Sequence, residues 1–410
     1  MGFIDKWVGR VIRLTDGAFW KGFFGFGTTS GEKVTYETAL QSEAVWACTT
    51  LISDTVGTLS CVVYGADGVT EDRDSPLFEL LHYLPNMDDT APDFWSQVAL
   101  CVCLDGNFFA EIKRNGSGAI VALNPHAPLA VDVQRNSRNE RVYEVTEDGG
   151  TKRRISEKNM FHVRGKTLPG CDRGLSPIEY AKNTVGNALA GEKAVGRMMK
   201  SGLMASLIVS SDQILNPEQR KQIGDVFAQF AGADKAGGVL PLEGGMKPYP
   251  MSINPKDAQL LESRQYIVEQ ICRVYGIPPV MVGGNNATAW GSGIEQLILQ
   301  FTKTCMRPML KRIEYAIYRD LLTPEQRKTV KVKFNMEDLL RGDSAARAEF
   351  LTKLVNSGIY HVDEARAYEG KPPTAGGDKS IVNGTMQRLD QIGVAANQNT
   401  AAPAPARPAA

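Results

Sequence analysis

The chain has 410 residues, 43% of them hydrophobic and 22% charged, ordinary values for a globular protein and enough length for two to three domains that each bury a core. Its 46 Lys and Arg balance 46 Asp and Glu, so it lacks the cationic excess on which tight duplex-DNA binding rests, although a surface that merely surrounds DNA is compatible with neutrality. Seven Cys, an odd number set mostly in apolar stretches, and Asp5 where a signal peptide needs a basic start are expected of reduced thiols in a cytoplasm. No window of about twenty residues is continuously apolar, so no membrane span is expected.

Residues 1–34 read as a short amphipathic helix and an irregular arm. Its aromatic run Trp20-Lys21-Gly22-Phe23-Phe24-Gly25-Phe26-Gly27 fits an interface or a fold over its own core. Ala44, Val45, Ala47, Cys48, Leu51, Ile52 and Val56 recur at helical spacing and predict a helix over 42–58, then a strand over 59–64. Helices are expected around 76–83 and 92–104. From 107 to 164 the pattern turns to strands: 108–113 and 119–123 flank the hairpin signal Arg114-Asn115-Gly116-Ser117-Gly118, 131–134 and 141–145 flank Asn136-Ser137-Arg138-Asn139, and 160–163 follows. This half reads as α+β.

Ser176-Pro177-Ile178-Glu179 combines a capping residue, a first-turn Pro and a Glu three residues after the cap, and opens a long helix reaching about Lys200. That helix is rich in small residues, including Gly186, Gly191 and Gly196. Each interior Gly costs roughly 1 kcal/mol against Ala, so three of them predict the close approach of a neighbouring helix. A βαβ-like insertion follows: strand 206–209, helix 217–230, a Gly-rich break, and strands 239–242 and 247–251. A second long helix is expected over 257–275. Ile277-Pro278-Pro279 onward cannot be helical throughout. A Gly/Asn-rich loop with a lone Trp290 then leads into the longest helix, 294 to about 322, whose apolar spacing persists across Pro308 and predicts a kink there. A strand over 329–334 and helices near 344–355 and 362–368 complete the fold, and from about Asn383 an Ala/Pro-rich tail lacks the apolar content to pack.

Motifs for catalysis are missing. Gly165-Lys166-Thr167 resembles the end of a phosphate-binding loop, but Met160 stands where that motif needs Gly, so a strand-to-loop turn is expected. No Gly-x-Ser-x-Gly elbow presents a nucleophile. Four His and seven Cys make no zinc-spaced set, and Cys101-x-Cys103 reads as core. No acidic cluster suggests two metals. Arg341-Gly342-Asp343 reads as a helix-start turn. Neither an enzyme nor a cofactor is expected.

Four segments carry a resemblance. They are Val45-Trp46-Ala47-Cys48 into Ile52-Ser53; Gly106-Asn107-Phe108-Phe109-Ala110; Gly174-Leu175-Ser176-Pro177-Ile178; and Leu260 through Ile271-Cys272-Arg273-Val274-Tyr275-Gly276-Ile277-Pro278-Pro279, continued by Trp290-Gly291-Ser292-Gly293-Ile294-Glu295-Gln296 and 308–314. In this order and spacing the chain resembles the phage portal family over roughly residues 40–370, most of all the shorter portals of long-tailed phages. The resemblance implies an α+β portal fold in a ring, usually of twelve copies. Its parts here would be an N-terminal arm (1–34), a wing (35–175), stem helices (176–202 and 256–276), an α/β clip between them (203–255), a tunnel loop (277–293), a kinked long helix with C-terminal wing and reduced crown (294–382), and a disordered tail (383–410).

By the same resemblance the tunnel loop would present Asn285, Asn286, Thr288, Trp290 and Ser292 to the DNA channel, on hinges Gly283, Gly284, Gly291 and Gly293. The stem would carry Lys193, Arg197, Lys200, Glu262, Arg264 and Glu269. The clip would dock partners through Gln219, Lys221, Gln222, Asp225 and Gln229. Implied partners are other copies of the chain, double-stranded DNA held weakly and without sequence preference, the large terminase, a head–tail adaptor, and major capsid or scaffold protein; the implied location is the capsid vertex of a virion. The competing readings are another adaptor or minor capsid protein and, on Gly165-Lys166-Thr167, a nucleotide-binding enzyme.

Overall fold

The computed structural model describes residues 26–147, 149–200, 207–210, 216–230, 247–250, 256–283, 292–336, 344–369 and 371–379. The chain falls into two units, Met1–Asn335 and Met336–Ala410. The expected strand 239–242, the aromatic run up to Gly25, the Arg341-Gly342-Asp343 turn and the tail lie outside the described residues.

In the first unit a short hairpin of β1 (Phe26–Gly27) and β2 (Lys33–Val34) leads to α1 (Tyr36–Gln41), whose first turn is capped by the Thr35 hydroxyl accepting from Thr38 N. Helix α2 (Glu43–Thr58) buries Val45, Cys48, Ile52 and Val56 along one stripe, as its spacing requires. Strand β3 (Cys61–Tyr64), α3 (Pro76–His82) and α4 (Ala91–Leu104) follow. Gly57 lets α2 and α4 touch: a Cβ there would stand 2.1 Å from Ser96 Oγ and 2.7 Å from the Pro92 carbonyl. Trp95 on α4 is buried and donates its indole N–H to Leu81 O at 3.0 Å, which satisfies the one polar atom of an otherwise apolar ring.

The strand region forms two three-stranded sheets. Strands β4 (Asn107–Arg114), β5 (Ile120–His126) and β9 (Met160–Arg164) lie in the order β5-β4-β9, antiparallel throughout. Strands β6 (Val131–Arg135), β7 (Arg141–Thr146) and β8 (Lys152–Ser156) form the second sheet in chain order. Strand β8, Lys-Arg-Arg-Ile-Ser, was not expected, because a single apolar residue gives no alternation to read. Phe109, Val131, Tyr143, Val145, Ile155 and Met160 close one core from members of both sheets. Arg153 of β8 fastens the two with a two-pronged pair to Glu111 of β4, at 2.8 and 2.7 Å. That guanidinium, with Lys113, brings the Glu111 carboxyl down to about 2.

The helix expected over 176–200 is broken near its start. Helix α5 (Pro177–Tyr180) ends at Ala181, whose φ of −97° and ψ of 10° leave the α region, and α6 (Lys182–Lys200) then runs on. The cap itself forms: Ser176 Oγ accepts from Glu179 N at 3.1 Å. Strands β10 (Leu207–Ser210) and β11 (Lys247–Pro250) enclose α7 (Pro217–Phe230) in sequence but pair antiparallel, so the insertion is not a parallel βαβ crossover. Helix α8 (Lys256–Tyr275) packs on α6 and α2.

The long helix comprises α9 (Ser292–Phe301), a π segment over 302–306 and α10 (Arg307–Asp320). Pro308 explains the π segment. It has no N–H for the Thr304 carbonyl and its ring crowds that carbonyl, so the preceding turn widens and Arg307 N–H reaches back to Thr302 O. The disturbance expected at Pro308 is thus present, one turn upstream. After α11 (Gln326–Thr329), β12 (Lys331–Phe334) returns to pair antiparallel with β3.

The second unit contains α12 (Ser344–Asn356) and α13 (Val362–Tyr368). Asp363 ties α13 to the segment after it, donating its N–H to Gly377 O at 3.0 Å and accepting from Thr374 N at 2.8 Å.

Candidate functional site

Two of the singled-out segments, 106–110 and 174–178, meet in space. Asn107 begins β4, and its amide Oδ1 accepts from Gly174 N at 2.5 Å and lies 3.2 Å from His162 Nε2. Its Nδ2 donates to Gly174 O at 3.1 Å and to the Asp105 carboxylate at 2.8 Å. Because Oδ1 only accepts, His162 must carry its proton on Nε2, and Nδ1 accepts from the Tyr143 hydroxyl at 3.2 Å. Ser176 Oγ donates to Leu104 O at 2.7 Å while capping α5, so the end of α4 and the start of α5 share one hydroxyl.

Glycines make the approach close enough. Gly106 has φ +78°, and a Cβ there would stand 2.1 Å from Leu175 O. A Cβ on Gly174 would stand 2.1 Å from Gly106 O. No L side chain fits either place without moving backbone. Gly165 N donates to Gly106 O, and Leu175 N to Lys166 O. The Gly165-Lys166-Thr167 stretch therefore serves as a turn of this joint.

Asp105 is the buried charge of the site. Tyr36 O–H donates to it at 2.7 Å and Arg173 Nη2 at 2.8 Å, beside the Asn107 amide. Burial still pushes its carboxyl above the usual range, since desolvation outweighs these donors. Arg173 also donates to Val131 O at 2.6 Å and lies over the Phe109 ring at 5.3 Å, tying the second sheet in. Burial and the surrounding Arg319, Arg164, Arg173 and Arg141 hold His162 well below the usual imidazole range. Asp320 accepts from His162 N, and Arg319 donates to His162 O, which fixes α10 to β9. Tyr36, Asp105, His162, Arg173 and Asp320 were missed in the sequence, and only the segments 106–110 and 174–178 hinted at the place.

Beside this joint lies a second one. Cys48 on α2 and Cys272 on α8 bring their sulfurs within 3.9 Å, Cys305 Sγ donates to Tyr275 O, and Tyr275 O–H donates to Cys103 O. Cys48, Cys103, Cys272 and Cys305 are buried, as expected for core thiols, whereas Cys171 is exposed. Apart from Arg164 Nε, which is buried without a hydrogen-bond partner, the donors and acceptors named in both joints bond one another, which makes them mechanical connections between the sheets and the helices at 177–200, 256–275 and 292–320. Among the described residues no group of His, Cys, Asp and Glu is arranged to hold a metal, and no helix is long and apolar enough to cross a membrane.

A family model described as "Phage portal protein" matches residues 43–370, four-fifths of the chain. The chain belongs to the phage portal protein family. It is 31% identical to the portal protein of Enterobacteria phage HK97 over 94% of its own length and 92% of the relative's. Its fold resembles an HK97-family phage portal protein from Corynebacterium diphtheriae, with a TM-score of 0.58 at 16% identity, covering 76% of this chain and 99% of that one. It also resembles a chain in the neck of a native gene transfer agent particle computed with C12 symmetry, with a TM-score of 0.57 at 18% identity, covering 91% and 99%. Its role is that of a portal protein.

The residues expected to act in a portal fall in three places. Asn285, Asn286, Thr288, Trp290, Gly284 and Gly291 lie outside the described residues. Gly283, with φ +88°, ends the 3-10 turn 279–282, while Ser292 and Gly293 are the first two residues of α9, so both belong to a helix and not to the loop. Lys193 on α6 pairs with Glu32 of the N-terminal hairpin. Arg197 and Arg264 are exposed, and Glu269 pairs with Arg273 one turn on at 3.1 Å. Lys200 and Glu262 lie on α6 and α8. Gln219, Lys221, Gln222 and Asp225 are exposed on α7, which also contains Gln229. Gln219 has a local task as well, accepting from Asn216 N at 3.0 Å.

Proposed function

We propose that the chain is one subunit of a ring, of twelve copies, set at a capsid vertex as the conduit through which double-stranded DNA is packaged and ejected. It acts as a passage and not as an enzyme, the motor being a separate terminase that docks on the insertion 203–255 and is later replaced by a head–tail adaptor. Helices α6 and α8 form the stem, the segment 277–291 the tunnel loop with Trp290 toward the DNA, and 35–175 the wing against capsid protein.

The observation that carries this reading is the small-residue surface of α6. Gly186 meets Thr28 and Ser30 of the N-terminal hairpin, so the neighbour expected for the glycines is there an arm and not a helix. Among the described residues, a Cβ on Gly191 or Gly196 would meet nothing within 4 Å. Two helix-interior glycines that cost roughly 1 kcal/mol each and face open space are explained by the close approach of a subunit beside them. Charge neutrality supports a channel that surrounds DNA without gripping it. Negative-stain electron microscopy of the purified chain tests the reading: rings with a central channel and near-twelvefold symmetry are expected. Compact monomers or dimers under assembly conditions would refute it.

A further inference from the structure

Opposite charges leave one sheet at opposite edges. Residues 65–93 hold eight Asp and Glu against one Arg, and residues 301–334 hold nine Lys and Arg against three Asp and Glu. The acidic stretch is fastened to β5, where Leu123 N donates to Pro85 O at 2.8 Å and Asn86 Nδ2 to Leu123 O at 2.9 Å. The basic stretch is fastened to β9 through Arg319 and Asp320 on either side of the His162 peptide. In the order β5-β4-β9 these are the two outer strands. A loop at 65–71 lies beside Lys331 and Lys333 of the same copy, with Lys333 Nζ donating to Gly68 O, so that part is already covered. The corner between α3 and α4 is not.

Both surfaces are exposed and chemically matched. Asp74, Glu79, Asp88 and Asp93 are exposed around the α3–α4 corner, and among the described residues Asp74, Glu79 and Asp88 have no cationic partner. Met87 at its tip is 99% exposed, with Tyr83 and Leu84 beside it. On the other edge Lys303, Arg307 and Lys311 recur every four residues on the outer face of the long helix, above buried Cys305, Met306 and Met309. The stripe runs on into Tyr315 and Tyr318, which are 69% and 44% exposed. Lys311 pairs with Glu314, but Lys303 and Arg307 have no anionic partner among the described residues.

We propose that these two surfaces meet between subunits, in addition to the α6 contact: the acidic α3–α4 corner of one copy seats on the basic stripe of the next. The inference rests on the ring reading above and adds a second contact to its interface. A nucleic acid would satisfy the basic stripe but be repelled by the acidic corner, whereas a second copy satisfies both at once. Two different patches on opposite edges of one subunit make a head-to-tail contact, the kind that closes into a ring. Exposed Met and Tyr among the charges supply apolar area at the centre, and the charges set direction and exclude wrong pairings.

The test uses two charge-reversed full-length chains, Lys303→Glu with Arg307→Glu, and Glu79→Lys with Asp88→Lys. Each is compared with the parent by thermal melting and by electron microscopy over a concentration series. With melting unchanged, each variant alone is expected to need at least roughly tenfold more protein to form rings, since like charges then face each other. An equal mixture of the two restores rings, because acidic-only and basic-only subunits alternate. The chain bearing all four substitutions restores them alone. Rings from either single variant at the parent's concentration would overturn the interface and leave the portal reading standing. So would rings that persist while binding of a duplex oligonucleotide is lost, which would make the stripe a DNA surface. Should a reversed chain melt lower, Lys303→Gln with Arg307→Gln gives the same reading with a smaller shift. Failure of the parent to form rings would instead remove the reading on which the inference rests.

Discussion

At Asn107 a single side-chain amide holds together the turn before β4, the segment leading into α5 and the imidazole of β9, and at His162 that arrangement becomes sensitive to pH. The imidazole is buried, bonded to an acceptor on Nε2 and a hydroxyl on Nδ1, and ringed by Arg319, Arg164, Arg173 and Arg141, so its folded pKa lies well below the ordinary value of 6.5. The unfolded chain takes up a proton near 6.5 that the folded chain refuses. The stability this group contributes is therefore complete above 6.5 and is lost as pH falls below it, by up to about 1.4 kcal/mol per pH unit. Asp105, whose folded pKa is raised, opposes the trend at lower pH, and His126, also lowered by burial, adds to it. The informative quantity is thus the difference between parent and variant. Urea midpoints measured from pH 7 to pH 5 are expected to fall more steeply for the parent than for His162→Gln. Parallel curves would show that His162 does not titrate on unfolding in that window.

Helix α6 shows what an element can reveal that a residue cannot. Replacing Gly191 and Gly196 by Leu adds side chains where the single chain has open space and removes roughly 1 kcal/mol of helix penalty at each, so the monomer is expected to melt at the same temperature or higher. If a neighbouring subunit occupies that space, the same double variant loses its rings in electron microscopy; intact rings would place the subunit contact elsewhere. The long helices and the hairpin at 114–118 were legible because one-sided apolar stripes and Gly-rich turns are local signals. Strand β8 was not, because its pairing with β7, and not its own Lys-Arg-Arg-Ile-Ser, makes it a strand. The insertion read as βαβ-like because strand direction leaves no trace in the order of elements, and only the ladder Leu207↔Pro250 to Ser210↔Lys247 shows it to be antiparallel. The joint was legible only at its glycines, Asn107 and the Ser176 cap. Its other members are spread from Tyr36 to Asp320, and no periodicity links residues that meet solely through the fold.

Across the whole molecule, the first unit is closed by pairing near its two ends. Strand β12 arrives some 270 residues after β3 and pairs with it from Lys331↔Tyr64 to Phe334↔Cys61. Phe334 is buried edge-on to Trp95 at 5.2 Å, and its N–H donates to Glu314 at 3.1 Å, so one residue couples α4, α10 and the β3–β12 sheet. Such a long closure carries a large entropy cost that only the completed pairing offsets. It also makes Asn335, the last residue of this unit, a sharp limit. A chain ending at Asn335 is expected to keep the melting transition of the first unit. A chain ending at Lys328 loses four strand residues and a buried Phe worth about 3 kcal/mol or more, and exposes the Cys61–Tyr64 edge. At about 2–4 °C per kcal/mol its transition should drop by roughly 6–12 °C, and calorimetry of the two truncated chains checks this. Equal transitions would mean that β12 is an accessory to a unit already closed by α10 on β9, and the joint at His162 would then be what holds the long helix to the sheets.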